Sequence, residues 1–164
     1  PLSFYLLGPY SGWLVGAYFA LAAAILAVAA GAYDALGSPA RSALPLLLFA
    51  LGAVSVCIVA LAHTDTSAGE LTTTGFVHNF AALAAFLCVS VAMLLQSWNF
   101  RRDGRWRPHF ARASLLAALN FLSLVVYAMD VLPRGATQKF VILLIVLWLM
   151  LAARWLTRVR PAGG

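Results

Sequence analysis

The sequence predicts an all-α, polytopic transmembrane bundle of five helices, and three observations lead there. The first is composition: 63% of the residues are hydrophobic, 10% are charged, and mean hydropathy is +0.93. A soluble globule of 164 residues has too much surface to cover with so few polar side chains, so a lipid bilayer must be the solvent. The second is a set of five nearly charge-free stretches, each close to the roughly 20 residues that cross a hydrocarbon core about 30 Å thick. The third is their pattern. Runs such as ALAAAILAVAAGA and LPLLLFALGAVSVCIVALA lack the polar and apolar alternation of a membrane barrel. Backbone groups in lipid must bond within their own segment, and helices are the solution that remains.

Taken in order, the predicted helices are 10–33, 42–62, 76–98, 110–129 and 138–156. Pro9 and Pro45 stand where the first two begin, and a first turn tolerates proline because its N–H has no intrahelical partner. Thr72, Thr73 and Thr74 read as capping residues ahead of the third helix. Arg112 and Arg154 sit just inside helix ends, where long stems let a guanidinium reach the headgroups. Connections are short and no internal repeat is evident, so residues 1–164 form a single membrane domain. Cys57 and Cys88 fall deep in the second and third helices and read as small apolar residues without a disulfide. Trp13, Trp98, Trp106 and Trp155 fall near membrane interfaces, whereas Trp148 is too deep for that belt and reads as packing. Gly8, Gly12 and Gly16 form a small-residue ladder of the kind that lets helices approach closely.

Charge supplies orientation. A net charge of +6 raises nucleic acid as a partner, but the basic residues lie between apolar runs rather than on a soluble face, so no nucleic acid is expected. Arg41, the five arginines of NFRRDGRWRPHFAR, and Arg154, Arg158 and Arg160 share one side, leaving Arg134 and Lys139 opposite. Cytoplasmic connections carry the excess of Lys and Arg. The expectation is a bacterial inner membrane protein with residue 1 outside and a cytoplasmic carboxyl terminus. Asp34 is positioned to pair with Arg41, and Arg101, Arg102, Arg105 and Arg107 are candidates for anionic lipid headgroups. His109, beside Pro108, reads as a solvated interfacial residue. An outer amino terminus without a signal segment points to a cleaved signal or to a preceding sixth helix.

The segments PLSFYLLGPYSGWL, HTD after the second helix, TTTGFVHN and TQKFVILLIVLWLMLAARWL resemble a bacterial membrane family catalogued as domain of unknown function 998. The resemblance implies six helices, the first preceding this chain, and no established activity. Two positions depart from the family pattern: His63 and Thr64 replace its usual aromatic or proline residues before the Asp, and Lys139 stands where arginine is common.

The polar interruption AHTDTSAGELTTTGFVHN carries the candidate chemistry. Antiparallel neighbours joined by a short loop bring His63 and Asp65 to the same depth as His78 and Asn79. On the fourth helix Asn120, Ser123, Tyr127 and Asp130 form a polar stripe rising toward the same face, and a polar stripe in lipid must face protein or water. His63, His78 and Asp65, or Asp130 in its place, are ligand types for zinc, which would activate water; a histidine and carboxylate would alternatively shuttle a proton. The ordinary alternative is a wet loop, with Asp65 capping a turn and Asn120 and Ser123 bonding across helices. No HExxH, paired CxxC or glycine-flanked serine occurs. The expected function is therefore a non-catalytic bundle that binds membrane lipids or serves as an accessory subunit packing against other integral membrane subunits. The alternative is a metal-dependent hydrolase or proton-coupled carrier centred on His63, Asp65, His78, Tyr127 and Asp130, with zinc as cofactor in the first case.

Overall fold

A computed structural model describes residues 8–62, 64–65 and 72–159. Its helices are α1 (Ser11–Ala35), α2 (Ala43–Leu61), α3 (Thr73–Phe100), α4 (Phe110–Ala128) and α5 (Arg134–Leu156), with a 3-10 turn, Arg107–His109, leading into α4. All five are long and apolar enough to cross a membrane, and the chain is a multi-pass helical membrane protein. Large apolar side chains cover its outside, among them Leu47, Leu51, Val54 and Leu143, each more than half exposed. Such a surface is unfavourable in water and suits a membrane interior.

Each helix packs beside its chain neighbours and α5 returns to α1, so the five close into a ring in which α3 and α5 touch sparsely. The tightest crossing is at Gly52, where an added Cβ would come within 2.6 Å of Val89 Cγ2; the absent side chain lets α2 and α3 approach. Inside the ring, α3, α4 and α5 are joined by one polar residue. Asn120 is fully buried; its Nδ2 donates to Val141 O at 3.0 Å and its Oδ1 accepts from Ser90 Oγ at 2.6 Å. Both halves of the amide are satisfied, which makes a polar group affordable at this depth.

The two ends of the bundle differ. At the arginine end, Asp103 in the α3–α4 connection is buried and accepts from Gly37 N at 2.9 Å, from Arg105 N at 2.9 Å and from Arg105 Nη2 at 3.1 Å, while Arg105 Nη2 also donates to Ala35 O at 2.8 Å. This ties the α3–α4 connection to the end of α1. Arg41 donates to the carbonyls of Leu36 and Asp34, each at 3.1 Å, and so closes the orphan acceptors of α1 rather than pairing with the Asp34 carboxylate. Beneath these loops lies an aromatic cluster. Phe100 stacks on Trp106 (4.6 Å between centroids) and Trp148 (6.3 Å), His109 stacks on Trp155 (4.6 Å), and Trp148 Nε1 donates to Ser97 Oγ at 3.2 Å.

The expectation of an interfacial belt needs correction here. Trp13 and Trp98 are exposed as a belt requires, but Trp106 and Trp155 are buried in this cluster. His109 is half-buried against Trp155 rather than freely solvated. Trp148 is buried packing, as its depth in the sequence suggests. Cys57 and Cys88 are free and partly buried, and a Cβ at Gly12 or Gly16 would meet nothing within 4 Å, so that part of the ladder packs against no described residue.

A candidate ligand cavity and the polar residues around it

At the histidine end, the helix boundaries are set by side chains that bond backbone. Thr72 caps α3: its Oγ1 accepts from Gly75 N at 3.1 Å. Asp65 in turn accepts from Thr72 N at 2.9 Å and Thr72 Oγ1 at 2.6 Å, which places a carboxylate at the positive end of the helix. Gly75 leaves room for this contact, because a Cβ there would collide with the Asp65 carboxylate unless that side chain moved. α3 consequently begins at Thr73, three residues ahead of the stretch that hydropathy picks out.

His78, one turn further on, is 3% exposed, and its Nδ1 lies 2.9 Å from Ala62 O at the end of α2. A carbonyl can only accept, so Nδ1 carries the proton and, in the neutral ring, Nε2 is left with its lone pair. The imidazole is thus both a clasp between α2 and α3 and part of the wall of a cavity.

That cavity, of about 210 Å³, lies between α1, α2, α3 and α5, where α3 and α5 leave room. Its walls are apolar, with Leu21, Val59, Ala85 and Ile142 representative, apart from His78, Tyr18 and Gln138. Among the described residues, no Lys, Arg, Asp or Glu lines it. Sequence reasoning finds His78 but not Tyr18 or Gln138, which are isolated polar residues on α1 and α5 and meet only because the ring closes.

The other candidate residues are occupied in maintaining the fold. Asp65 is a cap. Asp130 follows α4 with φ 55, a left-handed conformation that Asp tolerates better than most residues, and its Oδ1 accepts from Arg134 Nε at 2.7 Å. Tyr127 packs against Phe86 with centroids 6.0 Å apart. Ser123 donates to Leu119 O of its own helix, so of the two stripe residues expected to bond across helices, Asn120 does and Ser123 does not. His63 lies outside the described residues. Among the described residues, no three His, Cys, Asp or Glu side chains gather closely enough to hold a metal ion.

Of the four arginines considered for lipid headgroups, Arg105 turns inward to Asp103, whereas Arg101, Arg102 and Arg107 are exposed, with the Arg101 guanidinium 3.9 Å over the Trp98 ring. The sequence signal for Arg105 is the single acid in RRDGRWR, two residues before it.

A family profile described as protein of unknown function (DUF998) matches residues 1–155. No curated protein and no solved structure matches the chain. The match spans nearly the whole sequence, including the polar loop and every helix of the ring, and the chain therefore belongs to the DUF998 family.

Proposed function

We propose that this protein binds a lipid-like molecule in the cavity between α1, α2, α3 and α5, with its arginine end in the cytoplasm. The observation that carries the reading is the composition of the walls: among the described residues they are apolar on nearly every side, with His78, Tyr18 and Gln138 as the polar exceptions. Ligand sites have this character, a predominantly apolar surface and a few polar groups that fix orientation. A purely scaffolding bundle would gain by filling the space, because an unfilled apolar cavity forfeits packing contacts. Asp65 and Asp130, the carboxylates at the loops, have structural partners in Thr72 and Arg134. The cytoplasmic assignment rests on the excess of arginine at that end.

The test is lipid retention. Protein purified in mild detergent and released into the gas phase should carry a bound lipid, and Ala85→Phe, which fills the cavity from α3, should lose it while remaining monodisperse. Protein that is lipid-free in both forms would count against the cavity and in favour of a structural subunit. For orientation, Arg102→Cys should resist a membrane-impermeant maleimide added to intact cells; ready labelling would reverse the assignment.

A further inference from the structure

We infer that the molecule held in this cavity is a neutral amphiphile whose polar end carries a hydroxyl. The inference rests on the lipid-site reading above and narrows it to a chemical class.

Three observations lead to it. The first is charge. With no Lys or Arg among the described residues of the walls, a carboxylate or phosphate would be buried there without a counter-ion, which is strongly unfavourable in an apolar site. With no Asp or Glu among the described residues of the walls, a cationic amine has no partner there either. A neutral head is the consistent occupant.

The second is the direction of hydrogen bonding. Ala62 O holds the proton of His78 on Nδ1, so the neutral ring presents Nε2 as an acceptor, and that atom has no partner among the described residues. An acceptor recognises a donor. Tyr18, in the same cavity, has a phenol that can give as well as take a hydrogen bond. A ligand hydroxyl can donate to Nε2 and accept from a phenol; an ether or ketone oxygen can only accept, and would leave the imidazole nitrogen unsatisfied.

The third is size. A volume of about 210 Å³ is below the roughly 300 Å³ at which pockets begin to enclose whole ligands. It is nonetheless several times the space of one water. The cavity therefore seats the polar end and the first carbons of a chain, while the remainder runs along the exposed apolar helix faces into the bilayer. Long-chain alcohols, isoprenols and monoacyl or diacyl glycerols share this chemistry.

The experiment uses the full protein in phosphatidylcholine nanodiscs and a hexadecanol bearing a photoreactive diazirine near its hydroxyl, competed by hexadecanol, hexadecyl methyl ether or hexadecanoate. Hexadecanol should protect cavity residues from labelling at roughly tenfold lower concentration than the methyl ether, the size of one hydrogen bond to a buried group. His78→Phe should erase that difference, while His78→Gln, whose amide oxygen can accept, should keep part of it. Equal potency of alcohol and ether in the unmodified protein would overturn the hydroxyl inference while leaving a lipid site standing. Hexadecanoate as the best competitor would overturn it in favour of an acidic ligand. Absence of any cavity labelling would remove both the inference and the lipid site beneath it.

Discussion

Asp103 Oδ2 accepts a hydrogen bond from Gly37 N at 2.9 Å, joining loops that lie 66 residues apart in sequence. The same carboxylate takes the backbone N–H and the guanidinium of Arg105, so one buried acid organises the arginine end. Asp103→Ala would leave the Gly37 and Arg105 donors without their acceptor, and is expected to cost about 2 to 3 kcal/mol. Thermal unfolding in a fixed detergent measures it; a change under about 0.5 kcal/mol, typical of a surface site, would refute the account.

The same residue sets a pH dependence. Burial pushes its carboxyl up, but the hydrogen bonds from the Arg105 side chain and from Gly37 and Arg105 N–H, with the Arg105 charge, outweigh this and hold it below its ordinary value. A depressed folded-state value means that the stabilisation is complete above the ordinary carboxylate range, about pH 4, and is lost as pH falls through the lower folded value. The stability difference between the unmodified protein and Asp103→Asn should therefore be constant near neutrality and shrink below about pH 4. A difference that grows on acidification would contradict the assignment.

Gly75→Ala tests the cap at the other end. The new methyl must displace the Asp65 carboxylate from the start of α3, so the loss should approach that of removing the cap, about 1 kcal/mol. With Asp65→Ala already present, most of that penalty should vanish. Strict additivity in the double-mutant cycle would show that Asp65 does not occupy the space.

How far the sequence discloses this architecture depends on what kind of interaction decides each feature. Helix number follows from uninterrupted hydropathy, which membrane thickness converts directly into crossings. Helix starts do not. α5 begins at Arg134 rather than at Gln138, because its first turn carries Arg134 bound to Asp130 outside the apolar stretch. His78 is visible as a polar residue in an apolar helix, but its partner is the backbone of Ala62, and no pattern of side chains announces a carbonyl. Tyr18 and Gln138 come together only through the α1–α5 contact, which joins the two ends of the ring and has no local signature. Trp106 looks interfacial by position and is instead drawn inside by Phe100 and His109.

Asn120 offers a sharper test of internal bonding. Replacing it by Leu strands Ser90 Oγ and removes the second bond to Val141 O, which keeps its place in α5, and the expected loss is about 1 to 3 kcal/mol despite the gain in apolar surface. Combining it with Ser90→Ala should recover part of that loss, since one stranded group is removed with its partner. Failure of the double variant to recover any stability would mean that the Val141 carbonyl, and not the hydroxyl, dominates.

Gln96 is the opposite case. It is buried near the arginine end of α3, and its Nε2 has no hydrogen-bond partner among the described residues. An unsatisfied amide in such a place costs more than an apolar side chain of similar length, whereas Asn120 shows what a satisfied one looks like in the same bundle. Gln96→Leu should therefore raise stability by about 1 kcal/mol, seen as a higher unfolding temperature in detergent, with Gln96→Glu lowering it because the added charge would be buried without a partner. If Leu destabilises as much as Glu does, the amide is meeting a need that the apolar surroundings of α3 do not reveal, and a polar group, such as an ordered water, must complete it.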